Sequence, residues 1–229
     1  MFDLKSMLMV CAAALCSPQS AIAYEPTSSY LLDDINGWQV RYSSKYNSQP
    51  AKFEEMKTYV QQQLDIIVDR LPATAVATLR SVDIWVEYDP ETDGGAYHPS
   101  REWLEENDIN PDKALSVELG YSDFVDQGEQ PVIVLQEMAH AFEHYVLSDY
   151  QSDLEQAYNR ALTMDVYLAA KHTSGEFGRA YALTDKFEFF AELSEAYFAR
   201  NDFSPFDNEQ LRKLDPQSHD LIRQLWNIN

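Results

Sequence analysis

The segment from residue 185 to 200, DKFEFFAELSEAYFAR, constrains the fold of this chain more than any other. It has the composition of a strong helix, which Asn201 and Asp202 and then Pro205 bring to an end. Large apolar side chains recur along it, namely Phe187, Phe189, Phe190, Leu193, Tyr197 and Phe198. Because aromatic side chains dominate core burial, we expect this helix to be substantially buried.

The same segment carries a stripe of carboxylates. Glu188, Glu192 and Glu195 are spaced i, i+4 and i+7, so they share one face of the helix. A buried carboxylate needs a cation or several hydrogen-bond donors. An arginine would satisfy one glutamate, whereas a metal ion with a histidine partner would satisfy two. The alternative is a stripe that faces water.

A second helix is predicted from Pro131 to about Ser148, and it contains the sequence VLQEMAHAFEH. One face is apolar, with Leu135, Met138, Phe142 and Tyr145, and the other is polar, with Gln136, Glu137, His140, Glu143 and His144. Two donors at i and i+4 on one face can bind one metal ion. The pattern QExxH is not itself a metal motif, so an amphipathic helix with a solvated polar face is the alternative.

The rest of the chain predicts one compact, mostly helical α+β domain. Strand patterns occur at 38–44, 82–88 and 114–120. Further helices are expected at 51–71, from about 99 to 107, at 152–171 and twice in the tail, after a polar lead-in at 24–36. We expect the four tryptophans, Trp38, Trp85, Trp103 and Trp226, to lie in the core.

Residues 1–23 have the pattern of an export signal. Lys5 precedes an apolar run from Met7 to Cys16, and Ala21-Ile22-Ala23 is a small-x-small cleavage site. We therefore expect a single mature domain at 24–229 that is secreted or periplasmic. Both cysteines, Cys11 and Cys16, belong to the signal, so a metal site in the mature domain would have to use His, Asp, Glu and weaker donors.

The formal net charge of −21 narrows the class of partner. So acidic a protein is repelled by nucleic acid and by anionic membranes. The apolar run of the signal is too short to cross a bilayer, and no other stretch approaches ~20 apolar residues. We therefore expect no integral membrane segment in the mature chain, and we expect a peptide or protein partner, with basic peptides favoured by charge.

Several stretches together resemble a known family. They are GWQV, VDIWVEY, AYHPSREWL followed by NPDKA, QPVIVLQEMAHAF, RAYALTDKFEFFAELSEAYFARNDFSPF and the closing DP…LW. They resemble the zinc metallopeptidase domain of anthrax toxin lethal factor, and more closely small exported bacterial proteins and fungal conidiation-specific secreted proteins thought to share that domain. The most specific part is Y-x6-E-F-F-A-E, from Tyr181 to Glu192.

The resemblance implies a zincin-like fold and a role for each matching residue. His140 and Glu188 would bind Zn²⁺, and Glu137 would be the general base that takes a proton from a water molecule. Tyr181 would donate a hydrogen bond to the developing oxyanion. Glu192 would support a metal ligand through a hydrogen bond.

The chain departs from the family at Gln136, where the family has its first histidine ligand. A glutamine offers a neutral amide oxygen, which suits zinc poorly beside imidazole or carboxylate. His144 is an alternative ligand, since residues 140–144 spell the inverted motif HxxEH; one helical turn would nevertheless move the metal ~5.4 Å from the place expected for Glu188.

Two functions therefore stay open at this stage. One is a zinc-dependent endopeptidase with Gln136 as a weak or absent ligand. The other is an inactive homologue that binds a peptide in the same cleft. Of the remaining histidines, we expect His98 to shape a loop by hydrogen bonding, and His172 and His219 to be exposed.

Overall fold

The computed structural model describes residues 24–89, 94–121 and 130–227 of the 229-residue chain. The predicted export signal lies outside the described residues. Within them the chain is α+β and predominantly helical, with a small mixed sheet, as the sequence predicts.

The main sheet has five strands in the order β1-β2-β3-β5-β4. They are β1 (Leu31–Ile35), β2 (Trp38–Tyr42), β3 (Ile84–Glu87), β4 (Ala96–Tyr97) and β5 (Val117–Gly120). Strands β2, β3 and β5 are parallel, whereas β1 and β4 run antiparallel at the two edges. The short edge strand β4 lines the cavity that is described in the next subsection.

Strand β1 corrects the interpretation of residues 24–36 as a polar lead-in. Leu31 pairs with Tyr42 and Ile35 with Trp38, so this segment forms a hairpin with β2. The turn is Asn36-Gly37, with φ of 54° and 89°, the conformation that favours two-residue hairpins. The Asn-Gly pair was the sequence signal for this strand.

Nine helices cover most of the remaining described residues. They are α1 (Pro50–Arg70), α2 (Ala73–Leu79), α3 (Arg101–Glu106), α4 (Ile133–Val146), α5 (Gln151–Ala161), α6 (Asp165–Leu168), α7 (Lys186–Phe198), α8 (Asn208–Leu214) and α9 (Pro216–Leu225). A second, two-stranded sheet joins β6 (Ala170–Lys171) to β7 (Phe177–Gly178).

The helix predicted at 152–171 is wrong in its second half. Helix α5 ends at Ala161, and the short α6 begins only after Met164, whose backbone is extended. Thr163 closes the break, because both its amide and its hydroxyl hydrogen-bond to the Arg160 carbonyl. A threonine side chain that bonds to the backbone in this way competes with helix continuation.

Helix α7 is buried against α4, which confirms the prediction from its aromatic residues. Phe189 and Phe190 are fully enclosed. The Trp226 ring stacks on Phe142 of α4 at 4.0 Å between centroids and lies 5.7 Å from Phe190 of α7. Asp185 begins α7 by accepting hydrogen bonds from the backbone N–H groups of Phe187 and Glu188. Trp226 therefore packs α4 and α7 together in one core.

Three of the four tryptophans lie in the core, as expected, but the prediction is wrong for Trp103. Trp38, Trp85 and Trp226 are at most 1% exposed, whereas Trp103 is 46% exposed. Trp103 lies on the short surface helix α3, where its ring stacks on His98 at 6.1 Å.

We predict that Trp226→Ala lowers the free energy of unfolding by about 3–5 kcal/mol, because it leaves a cavity between α4 and α7. It also removes the 2.9 Å hydrogen bond from the indole nitrogen to Ser194. Trp103→Ala is the matched control and should cost less than about 1 kcal/mol. Chemical denaturation measures both, and equal losses would contradict the prediction.

Candidate functional site

A cavity of about 560 Å³ lies between α4, α7 and the edge strand β4. All six residues proposed from the sequence for catalysis or metal binding line it: Gln136, Glu137, His140, His144, Tyr181 and Glu188. They come from two helices and from the 3₁₀ turn Tyr181–Leu183 before α7. Tertiary packing thus brings residues as far apart as 136 and 188 into one cleft.

Most of the polar face of α4 is enclosed by protein, and only His144 at its end is exposed. Gln136 and Glu137 are only 3% and 5% exposed. On α7, Glu192 and Glu195 are buried, and Glu188 lines the cavity. The alternative of a stripe that faces water is therefore wrong for α7, and on α4 a solvated polar face is limited to His144.

Glu188 is the point at which the site residues meet. Its Oε2 atom lies 3.2 Å from His140 Nε2 and accepts a hydrogen bond from Gln136 Nε2 at 3.3 Å. Its Oε1 atom accepts a hydrogen bond from the Tyr181 hydroxyl at 3.4 Å. One carboxylate thus orients an imidazole, an amide and a phenol.

These contacts change the pKa values of the pair. Burial raises the pKa of Glu188, but the hydrogen bond and charge of His140, followed by Gln136 and Tyr181, outweigh burial and bring the pKa below its ordinary value. Burial lowers the pKa of His140, but Glu188 and the Glu137 carboxylate outweigh it and raise the pKa overall. The two residues therefore form an ion pair in mildly acidic solution.

Tyr181 keeps its proton at neutral pH. The residue is 45% exposed and lines the cavity. Burial of the hydroxyl and the nearby Glu188 carboxylate raise the pKa of Tyr181 to about 12. The hydroxyl is therefore a hydrogen-bond donor, as an oxyanion-stabilising role requires.

The edge strand β4 fixes the orientation of Glu137. The Glu137 Oε2 atom accepts a 2.7 Å hydrogen bond from the backbone N–H of Tyr97. Gly95 makes this approach possible, since a Cβ there would lie 2.8 Å from Ile133 Cγ1 and 3.2 Å from Glu137 Cγ. These β4 contacts are the part of the site that sequence reasoning missed; the pair Gly94-Gly95 was the available signal.

His144 lies at the rim of the cavity and turns toward β4. Its Nδ1 atom is 3.2 Å from the Tyr97 hydroxyl, and the two rings meet edge to face at 5.8 Å. Its neighbour in the HxxEH pattern, Glu143, accepts a hydrogen bond from Gln151. His144 as a metal ligand stays a prediction.

The other histidines have structural contacts. His98 is buried and lies 2.7 Å from Glu118, in agreement with the loop-shaping role expected of it. The expected exposure is wrong for His219, which is buried with its Nε2 atom 3.2 Å from Asn208 Oδ1. His172 is partly buried, 3.7 Å from Asp202.

Glu192 lies deeper in the protein than the cavity. The Asn201 side chain hydrogen-bonds to its carboxylate, whereas its Oε2 atom has no hydrogen-bond partner. Its proposed support of a metal ligand stays a prediction.

The possible metal ligands in the cavity fit a divalent metal ion, although one of them, Gln136, is a weak ligand. Two donor atoms on one tetrahedral zinc are about 3.3 Å apart, and His140 Nε2 and Glu188 Oε2 are 3.2 Å apart. Gln136 adds an amide oxygen that is buried without a partner. Within the described ranges no three His, Cys, Asp or Glu side chains gather into a metal-binding group, so a metal here would depend on Gln136 for its third donor.

Comparison with known proteins gives no match to a family model, a curated protein or a solved structure. The resemblance to the lethal-factor metallopeptidases therefore stays a prediction from the motifs. In the part of the chain that the structure describes, no helix combines the length and the apolar character needed to cross a membrane.

We predict that Gly95→Ala destabilises the protein by about 1–3 kcal/mol, because the added methyl group overlaps Ile133 and pushes β4 away from Glu137. Gly178→Ala is the matched control, since a Cβ there meets nothing within 4 Å. Thermal unfolding compares the two variants. If the two variants were equally stable, the prediction would be contradicted, because the methyl group at position 95 would then fit between β4 and α4.

We also predict a pH-dependent contribution from the His140–Glu188 pair, measured in EDTA against Glu188→Gln. Because the pKa of Glu188 is lowered, its stabilisation is present above about pH 4.5 and is lost as pH falls through the folded pKa. Because the pKa of His140 is raised, its stabilisation is present below about pH 6.5 and is lost as pH rises through the folded pKa. Between these two pH values the wild type should be about 1 kcal/mol more stable to unfolding than Glu188→Gln. A stability difference that does not vary with pH would contradict the ion pair.

Proposed function

We propose that this protein is an exported, zincin-like metal-dependent peptide hydrolase. The observation that carries the proposal is the convergence of Glu137, His140, Glu188 and Tyr181 on one cavity. These are the residue types that metal-assisted amide hydrolysis needs: a base, two metal ligands and an oxyanion donor. Residues from separate parts of the chain have little structural reason to meet in this combination.

Each side chain has a place in the reaction. His140, Glu188 and the amide oxygen of Gln136 would hold the metal, which when bound supplies Lewis-acid polarisation of a substrate carbonyl and of a water molecule. Glu137, oriented by the Tyr97 N–H, takes the proton of the attacking water and passes it to the leaving amine. The neutral Tyr181 hydroxyl donates to the oxyanion that develops on the scissile carbonyl.

Gln136 makes metal binding the weak step. Changes around metal ligands typically cost 10–100-fold in affinity, so replacing a ligating imidazole by a neutral amide costs at least that much. The base and the oxyanion donor are unaffected by this replacement. The proposed enzyme is therefore one whose activity depends strongly on metal concentration.

A second candidate is a peptide-binding module without catalysis. The observation that favours it is the small number of good metal ligands. In the described part of the cavity, only His140 and Glu188 are strong metal ligands that also contact each other directly. In the absence of metal they neutralise each other. A cleft of about 560 Å³ would still hold a segment of peptide. With its net charge of −21 the protein would attract basic peptides in either case.

The test is metal stoichiometry and peptide hydrolysis on four purified proteins: wild type, Gln136→His, Glu137→Gln and His144→Ala. We expect weak binding of about one zinc per chain and at least ~10-fold tighter binding in Gln136→His. Glu137→Gln should keep the metal but lose at least ~100-fold in hydrolysis of a fluorogenic peptide library. His144→Ala should match the wild type, because His144 faces Tyr97.

Two outcomes would redirect the proposal. If zinc-loaded wild type cleaves no faster than Glu137→Gln, the hydrolase is excluded and the binding module stands. If His144→Ala loses the metal, His144 has replaced Gln136 as the ligand.

A further inference from the structure

One leucine has a backbone conformation that its residue type disfavours. Among the described residues other than glycine, a positive φ occurs at Asn36, Asp108, Leu115 and Asn227. Asparagine and aspartate tolerate this left-handed conformation, whereas the side chain of a leucine crowds its own backbone there. Leu115, with a φ of 62°, is therefore the exception.

Burial in the core does not explain the leucine at this position. Leu115 is 40% exposed, and hydrophobic stabilisation is roughly proportional to the apolar area removed from water. Backbone hydrogen bonds hold the turn, since the Leu115 N–H donates to the His98 carbonyl at 2.7 Å and the Ser116 N–H donates to the Lys113 carbonyl at 3.2 Å. An asparagine would make the same backbone bonds with less strain. An exposed apolar side chain on a strained backbone indicates contact with another molecule.

Two tyrosines connect Leu115 to the cavity. The Tyr145 hydroxyl donates to the Leu115 carbonyl at 3.4 Å, and Tyr145 is 42% exposed. Tyr97 is hydrogen-bonded to Tyr145 through its hydroxyl and lines the cavity. We call Tyr97, Leu115 and Tyr145 the apolar shelf. The apolar shelf is therefore continuous with the wall of the cavity.

The length of α4 gives the distance between the apolar shelf and the proposed base. Tyr145 follows Glu137 by eight residues on this helix, which is about 12 Å along the helix axis. An extended peptide rises about 3.3 Å per residue, so the same distance spans about three or four peptide residues. A peptide that passes Glu137 in the direction of α4 would place one of its side chains on the apolar shelf.

We propose that the apolar shelf binds an aromatic side chain of the peptide in the cavity, about three or four residues from the peptide bond that lies against Glu137. An aromatic ring buries a large apolar area and packs well against tyrosine rings, edge to face or offset. This inference rests on the proposed function, because a peptide has to occupy the cavity. It adds a preferred residue to a substrate that net charge alone describes only as basic.

Fluorescence anisotropy with labelled decapeptides tests the proposal in the presence of EDTA, which prevents metal-dependent cleavage. The peptides consist of alanine and lysine, since the protein is acidic, and the two members of a pair differ only in phenylalanine or alanine at one central position. We expect the wild type to bind the phenylalanine peptide at least ~10-fold more tightly. Leu115→Asn and Tyr145→Ala should each reduce this preference to less than about threefold.

Leu32→Asn is the matched control for Leu115→Asn. Leu32 is 64% exposed and lies on β1, at the opposite edge of the sheet from β4, so this variant should keep the full preference. Leu115→Asn should melt no lower than the wild type, because asparagine adopts the left-handed conformation readily. A Tm at least ~4 °C below that of the wild type would instead assign Leu115 to stability and overturn the proposal.

Mapping by mass spectrometry of the bonds that the zinc-loaded wild type cleaves in a random peptide library separates this proposal from the proposed hydrolase. We expect aromatic residues to be enriched about three or four positions from the cleaved bond. If nothing is cleaved but Leu115→Asn abolishes the preference in binding, the hydrolase fails and the apolar shelf stands. If peptides are cleaved but phenylalanine and alanine peptides bind equally, the apolar shelf is overturned and the hydrolase stands.

Two further outcomes would overturn the proposal. One is a preference for phenylalanine that Leu115→Asn and Tyr145→Ala both retain, since the ring would then bind elsewhere. The other is a wild type that sediments as a dimer while Leu115→Asn is monomeric, since the apolar shelf would then be a contact between two copies of this chain.

Discussion

The packing of α4 against α7 is the contact on which the rest of the structure depends. Trp226 lies against Phe142 of α4 and Phe190 of α7, and its nitrogen is hydrogen-bonded to Ser194. This apolar contact places the polar edge of α4 opposite Glu188. The hydrogen bonds of the site are worth about 1 kcal/mol each, so the hydrophobic core, and not the site, determines where the two helices lie.

The edge strand β4 closes the site from the other side through backbone chemistry. It pairs with β5 through alternate residues, so that the Tyr97 N–H is directed to Glu137 while the His98 N–H bonds to Ser116. Gly95 permits this because any side chain there would meet Ile133 and Glu137. The orientation of the proposed base thus depends on the absence of a side chain at Gly95, directly before the neighbouring strand β4.

Glu188 and Glu192 lie one helical turn apart on α7 but have different surroundings. Around Glu188, a histidine, an amide and a phenol supply donors, and the pKa of the carboxyl falls. Around Glu192, burial and the Asp202 carboxylate outweigh the hydrogen bond from Asn201, and the pKa of Glu192 rises. Two glutamates one turn apart on α7 therefore have pKa values shifted in opposite directions.

The sequence by itself determined the secondary structure around the site and the chemistry of its side chains. Helical spacing placed Glu137 and His140 on one face of α4, and the aromatic content of α7 required its burial, because both follow from local periodicity and residue type. Only the tertiary structure decided that β4 orients Glu137, that His144 pairs with Tyr97, and that Glu192 lies beside Asp202. Those contacts join residues up to 47 positions apart along the chain. They depend on how helices and strands pack in space, which no local pattern of residues encodes.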